Sequence, residues 1–194
     1  IASETGIEYL ELEEKKPVTA GCKLDDGTIV FGHSNGSVTE LNGDACSTVS
    51  VGNSAICAMD CRSSWVVGLD SGVVSTSESQ GFWNIESFES IDVVSYGPSL
   101  EDSEGIWYSS WNGKCTVFLV DSTVGSLQLE ISHTSRVVTC FATEDTICFG
   151  DDSGCIHVIE KKVLRRRFGR PPDRENDSGR EAELRKKIRA LRGA

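Results

Sequence analysis

Eight cysteines are the residues of this chain most able to bind a metal or form disulfides. Cys57 and Cys61 are separated by three residues, and no second Cys or His pair follows at the spacing of a zinc site. Cys22 and Cys140 each lie ten residues before a glycine that opens a hairpin. This spacing indicates one repeated structural position. We therefore predict no metal and eight unpaired thiols, which fit a cytoplasmic or nuclear protein.

Three histidines are the candidates for acid–base chemistry. His33, His133 and His157 are far apart in sequence, and we place them in different repeats, with His33 in a hairpin turn and His157 facing solvent. A catalytic histidine needs a nucleophile and an orienting partner, and neither is indicated nearby. We predict no catalytic residues, no cofactor, no small-molecule substrate and no enzyme activity.

Charge divides the chain near residue 160. Residues 1–160 carry a net charge of −19, and residues 161–194 carry +8, within a total of −11. No run of eighteen apolar residues suggests a membrane span. We therefore interpret an acidic domain over 1–161, a basic, proline-containing linker over 162–178 and a helix over 179–194.

A repeat organises the acidic part. Four units each contain two β-rich runs around Asn-Gly or Ser-Gly, and their glycines are Gly36, Gly72, Gly113 and Gly154. These dipeptides favour tight hairpin turns. Another strand candidate precedes each hairpin, at 18–24, 55–60, 91–96 and 137–142. Three to four strands in about 40 residues is typical of a propeller blade. We predict an all-β fold, a partial or composite β-propeller of about four blades with a C-terminal basic α-helix.

Residues 17–161 resemble the WD-repeat type of β-propeller in degenerate form. The Trp-Asp pair expected after each hairpin is replaced, for example by Leu41-Asn42 and Ile159-Glu160. A looser similarity to the FG-GAP-type propellers of the KICSTOR and BBSome complexes rests on residues 107–114 and on the helix after the last blade. These resemblances imply a propeller fold. Because no catalytic constellation accompanies them, we predict a non-enzymatic scaffold that binds protein partners within a larger complex.

Four blades are fewer than most WD-type propellers contain. Residues 7–12 are typical of the last strand of an earlier blade, which favours a fragment of a larger ring. Alternatively, a partner completes the ring, because open strand edges otherwise invite aggregation. Both interpretations stay open from the sequence. Trp111 occupies a turn position that is polar in the other units, so it is a candidate partner contact or a core residue.

The tail contains two further candidate surfaces. Ser178 and Glu181 form a capping box, and the helix that follows places Leu184, Ile188 and Leu191 on one stripe for a partner, such as a coiled coil. Four arginines precede it and suit an acidic protein or phosphates: Arg165, Arg166, Arg167 and Arg170. The alternative function is therefore a nucleic-acid-associated factor, for example in ribosome or RNA processing.

Overall fold

The computed structural model describes residues 2–3, 6–7, 12, 15–77, 84–86 and 89–169. Four antiparallel sheets follow one another along the chain, and we call them blades 1 to 4. The predicted helix over 179–194 and the second part of the predicted linker lie outside the described residues.

Each blade is a meander in which consecutive strands pair. A short ribbon, β1 (Ala2–Ser3) and β2 (Gly6–Ile7), comes first. Blade 1 contains β3 (Val18–Lys23), β4 (Ile29–His33), β5 (Ser37–Asn42) and β6 (Ala45–Ser50). Blade 2 contains β7 (Ile56–Cys61), β8 (Trp65–Leu69), β9 (Val73–Thr76) and β10 (Asn84–Glu86). Blade 3 contains β11 (Ile91–Pro98), β12 (Glu104–Trp111), β13 (Cys115–Asp121) and β14 (Leu127–His133). Blade 4 contains β15 (Val137–Ala142), β16 (Thr146–Asp151) and β17 (Ile156–Glu160), and α1 (Lys161–Phe168) follows.

Glycine turns set the hairpins of the four blades. Gly36, Gly72, Gly113 and Gly154 have φ values of 78°, 83°, 87° and 84°, in the left-handed region that residues with a Cβ rarely adopt. The predicted all-β partial propeller of four blades is therefore confirmed.

The hydrophobic core lies between neighbouring blades. One cluster joins blades 1 and 2, a second joins blades 2 and 3, and a third joins blades 3 and 4. Trp65 belongs to the first cluster and Trp107 to the third, and both are fully buried. Each large apolar side chain buried in this way contributes about 1.5–3 kcal/mol. The blades are therefore held to one another by the same contacts that make up the core.

A large side chain resting on a glycine recurs at two junctions. A Cβ added to Gly32 would lie 2.8 Å from Ile56 Cγ2, and one added to Gly68 would lie 2.8 Å from Ile91 Cβ. Ile56 and Ile91 each begin the first strand of the next blade. We call the isoleucine a knob and the glycine its socket.

A disulfide also joins blades 1 and 2. Cys22 and Cys61 are bonded, with their Cα atoms 5.9 Å apart, so the prediction of eight unpaired thiols is wrong. The cytoplasmic or nuclear location that rested partly on those thiols stays a prediction.

The predicted equivalence of Cys22 and Cys140 is also wrong. Gly32 pairs with Ala20, two residues before Cys22, whereas Gly150 pairs with Thr139, one residue before Cys140. Because one position along a strand reverses the side-chain direction, the two cysteines face opposite sides of their blades.

The helix α1 occupies the start of the segment that the sequence predicts to be a linker. Leu164 is 1% exposed and joins the cluster between blades 3 and 4. Arg165 donates hydrogen bonds to the Ser99 carbonyl and, at 3.0 Å, to Asp102. The helix is therefore part of the folded domain. Within the described residues, no helix has the length and apolar character needed to cross a membrane.

Candidate functional site

In the described part of the chain, blades 1 and 4 each have one face that no neighbouring blade covers. On blade 4, three large apolar side chains lie on this face: Phe141 is 68% exposed, Ile156 75% and Val158 59%. Their register neighbours across β16 are Cys148 and Gly150. We call this surface the open face of blade 4. Three such side chains on one sheet are typical of an interaction surface.

The open face contains an unfilled socket. Gly150 corresponds to Gly32 and Gly68, because each pairs with the third residue of the first strand in its own blade. A Cβ added to Gly150 would meet only Thr139, at 2.6 Å, which belongs to the same blade. In the described part of the chain, no side chain from another blade fills this position.

Blade 1 presents the matching knob. Val18 pairs with His33 in the same register as Ile56 with Leu69, so it holds the knob position of its blade. Whereas Ile56 is fully buried, Val18 is 50% exposed. We call the surface around Val18 and Lys23 the open face of blade 1. Among the described residues, therefore, the knob of blade 1 and the socket of blade 4 have no partner from another blade.

A second group of side chains meets on the opposite, inner side of blade 4. His133 at the end of β14 and His157 in β17 direct their Nε2 atoms to the same oxygen, Oδ2 of Asp151, at 2.9 and 3.0 Å. The two imidazole ring centroids are 4.5 Å apart. The cluster thus links blade 3 to blade 4.

The turn after β16 fixes the orientation of the shared carboxylate. The other oxygen of Asp151, Oδ1, accepts hydrogen bonds from the backbone N–H and hydroxyl of Ser153 and from the backbone N–H of Cys155. The bonds from Ser153, together with those from His157 and His133, hold the pKa of Asp151 well below its ordinary value. This side chain is 1% exposed, so the ionised carboxylate is held at a defined position.

An apolar cavity adjoins the two imidazoles. It has a volume of about 410 Å³ and is lined by both histidines together with Val117, Ile131 and Phe149. The cluster therefore has polar groups on one side and an apolar cavity on the other.

The histidines differ from their predicted placement. His133 and His157 lie in different blades, as predicted, but their imidazole rings meet in space, which the sequence did not indicate. His157 does not simply face solvent, because its Nε2 bonds Asp151. His33 ends strand β4, is fully buried and bonds Thr39 at 2.8 Å and the Lys16 carbonyl at 3.1 Å, so it has a structural role.

The predicted partner and phosphate contacts are only partly within the described residues. Trp111 ends β12 and packs, partly buried, against the cluster between blades 3 and 4. Arg165 is held by blade 3, whereas Arg166 and Arg167 are exposed. The remaining residues lie outside the described part: Arg170, Leu184, Ile188 and Leu191.

Comparisons with known proteins identify the fold. No family model matches the chain, and no curated protein matches its sequence. Similar solved structures include the computationally designed Ika4 protein (17% identity, TM-score 0.61, 80% of this chain and 98% of that one). The WD40 β-propeller domain of Doa1 has 11% identity and a TM-score of 0.58, and the match covers 74% of this chain and 50% of that one. BBS1N in complex with ARL6DN has 12% identity and a TM-score of 0.54, and the match covers 68% of this chain and 45% of that one.

These similarities place the chain in the β-propeller fold class. Their low identities show the fold alone. The chain spans about half the length of the Doa1 and BBS1N propellers.

Proposed function

We propose that this chain is a non-enzymatic interaction domain, a subunit of a larger assembly, and that its open face on blade 4 binds a further propeller blade. The observation that carries the proposal is the empty socket at Gly150, surrounded by exposed Phe141, Ile156 and Val158. The same chain fills its other two glycine sockets with the first residue of a neighbouring blade.

The blade that fits this face is blade 1 of a second copy. The socket at Gly32 and the socket at Gly68 both take a β-branched side chain. Val18 is β-branched, occupies the knob position and is half exposed. Two copies joined head to tail place eight blades in one ring, which is within the range of known propellers. A two-fold ring also satisfies both copies, because each uses one knob and one socket.

A second contact supports the same arrangement. At the junction of blades 1 and 2, Cys22 is bonded to Cys61. At the junction of blades 2 and 3, the residues in the same register positions are Asp60 and Tyr96, and Asp60 accepts a hydrogen bond of 2.9 Å from the backbone N–H of Tyr96. By strand register, the corresponding pair at a junction between copies is Phe141 and Lys23. The aliphatic part of a lysine covers an aromatic ring well, and its ammonium group is attracted to the ring face.

The expected strength of association follows from the exposed apolar area. Phe141, Ile156 and Val158 are more than half exposed, so burying each one contributes about 1–2 kcal/mol. Two junctions then contribute about 6–12 kcal/mol, against a cost of association of about 4–15 kcal/mol. At the favourable ends of both ranges the surplus is about 8 kcal/mol, so we expect a ring that forms at micromolar or higher concentration.

Light scattering coupled to size-exclusion chromatography tests the proposal on the full chain at about 1–100 μM. We expect the mass of the wild-type chain to approach twice that of the monomer as concentration rises. Phe141→Asp places a charge on the open face of blade 4 and is expected to keep the chain monomeric. Phe168→Asp is the matched control, because Phe168 is 49% exposed on α1, away from that face. A wild-type chain that stays monomeric throughout would contradict the proposal.

The tail extends the proposal. We expect the stripe of Leu184, Ile188 and Leu191 to bind a protein partner separately from the blade faces. Truncation after Gly169 separates the two surfaces, since it removes the stripe and keeps every described blade. The truncated chain should form the dimer as readily as the full chain. A loss of dimer on truncation would show that the tail, rather than the open blade faces, joins the copies.

No described contact favours the nucleic-acid alternative, and Arg165 is already bound to blade 3. The salt dependence of RNA binding tests this alternative: if Arg166 and Arg167 contact phosphates, replacing them with alanine should reduce that dependence.

A further inference from the structure

We propose that His133, Asp151 and His157 bind a Zn²⁺ ion that joins blade 3 to blade 4. Its three ligand residues are not among the open-face residues Phe141, Ile156 and Val158, although Ile156 and Val158 also line the cavity beside the histidines.

The geometry suits three ligands of one ion. One imidazole nitrogen from each histidine and one carboxylate oxygen of Asp151 all lie within 4.8 Å of one another. Zinc binds imidazole nitrogen and carboxylate oxygen at about 2.0–2.2 Å, so ligand atoms around a tetrahedral ion are about 3.3 Å apart. The present separations from Oδ2, 2.9 and 3.0 Å, need only a small outward movement.

The elements that carry the ligands also fix their orientation. His133 ends β14, Asp151 ends β16, and His157 lies in β17, so no ligand is on a long loop. The three hydrogen bonds to Asp151 Oδ1 keep Oδ2 directed at the imidazoles. Groups of this kind around a ligand typically change metal affinity by about 10–100-fold.

The donor set favours zinc. Two imidazoles with one carboxylate is a common set for Zn²⁺, and such sites retain a fourth position for water. Calcium and magnesium prefer oxygen ligands, so two imidazoles disfavour them. The apolar cavity beside the histidines offers space at the fourth position.

The consequence is a clamp on the last blade. Blade 4 contains three strands in the described residues, and its β17 has no neighbouring strand there on its outer edge. Two of the ligands, Asp151 and His157, belong to this blade, and His133 belongs to blade 3. A bound ion therefore connects β17 to blade 3 and stabilises the native state, because the unfolded chain lacks the assembled site.

Equilibrium dialysis of the full, chelator-treated chain against ZnCl₂ tests the proposal. We expect about one zinc per chain, and at least a tenfold loss of affinity in His157→Gln. His157 is 42% exposed, so this variant is expected to fold, whereas Asp151 is buried with five hydrogen bonds. Asp152→Asn is the matched control, because it removes a neighbouring exposed carboxylate and should bind zinc as the wild type does.

The exposed free thiols are the main competing ligands, above all Cys155 in the same turn. If His133, Asp151 and His157 are the ligands, the thiol of Cys155 is not needed, and Cys155→Ser should bind zinc with unchanged affinity. We also expect zinc to raise the melting temperature of the wild type and of Cys155→Ser, but not that of His157→Gln. Equal affinity in the wild type and His157→Gln would overturn the proposal, as would loss of binding in Cys155→Ser.

Discussion

Replacing glycine by alanine at two equivalent positions compares the free energy of unfolding at a filled socket with that at an empty one. Gly68 and Gly150 hold the same register position in blades 2 and 4. Neither has a positive φ, so alanine is compatible with the backbone at both. Gly68→Ala and Gly150→Ala therefore differ mainly in what the added methyl group meets.

The atoms around each glycine indicate how much the substitution should change the free energy of unfolding. At Gly68 the new Cβ lies 2.8 Å from Ile91 Cβ, inside a packed junction between two blades. Overpacking of this kind costs about 1–3 kcal/mol. At Gly150 the nearest atom is a methyl group of Thr139, an exposed residue whose side chain can rotate. Losing a glycine also stabilises the folded chain by about 0.4–1 kcal/mol through the unfolded state. We therefore expect Gly150→Ala to leave the free energy of unfolding nearly unchanged.

Chemical denaturation of both variants at low protein concentration measures this difference. For a chain of this length, 1 kcal/mol corresponds to about 2–4 °C. The gain from the unfolded state is common to both variants, so the melting temperature of Gly68→Ala should lie about 2–12 °C below that of Gly150→Ala. Gly150→Ala should have the same melting temperature as the wild type. It should nevertheless weaken the dimer, because its methyl group fills the socket that Val18 of the second copy needs. If both variants lose the same stability within about 0.5 kcal/mol, the account of knobs and sockets is wrong.

Three further predictions concern other contacts. Leu164→Ala should lower the free energy of unfolding by about 2–5 kcal/mol in urea denaturation, because Leu164 is 1% exposed in the cluster between blades 3 and 4. An unchanged midpoint would show that α1 is not packed on the blades. Reduction of the Cys22–Cys61 disulfide should cost about 2–4 kcal/mol, measured by denaturation with and without reductant, whereas a Cys22→Ser variant should not respond to reductant. The pKa of Asp151 is lowered in the folded state, so its stabilisation is complete above its ordinary pKa of 3.8 and is lost as pH falls below that value. Asp151→Asn should therefore show a flatter loss of stability between about pH 4 and pH 2, and an unchanged acid profile would contradict this.

The parts of the fold that depend on local sequence were predictable. Gly36 and Gly154 mark tight turns because a hairpin needs positive φ at that point, and each strand run around them was identified. The number of blades followed from the recurrence of such turns. The helix α1 was not predicted, because its basic residues lie just before Pro171 and Pro172, which cannot continue a helix.

The contacts between blades were not predictable in the same way. His133 and His157 lie 24 residues apart in sequence and meet only because β14 and β17 occupy adjacent blades. Cys22 and Cys61 are 39 residues apart, and their pairing depends on strand register. The turn between the first two strands is one residue longer in blade 1 than in blade 4, and this difference puts Cys22 and Cys140 on opposite faces of their blades. One available signal was the Asp151-Asp152-Ser153-Gly154 turn after β16, because the carboxylate of Asp151 accepts the hydrogen bonds of both histidines.

The most direct test of the central claim is a cross-link between the open faces of two copies. A chain with Val18→Cys is mixed with a chain carrying Gly150→Cys, after the free thiols Cys46, Cys57, Cys148 and Cys155 are replaced by serine. At the junction of blades 1 and 2, a Cβ added to Gly32 lies 3.1 Å from Ile56 Cβ, close to the spacing of about 3.5–4.5 Å in disulfides. We predict that mild oxidation of the mixture gives a covalent dimer, and that Val124→Cys in place of Val18→Cys does not. A mixture that remains monomeric under oxidation, or that cross-links equally through position 124, would contradict the account.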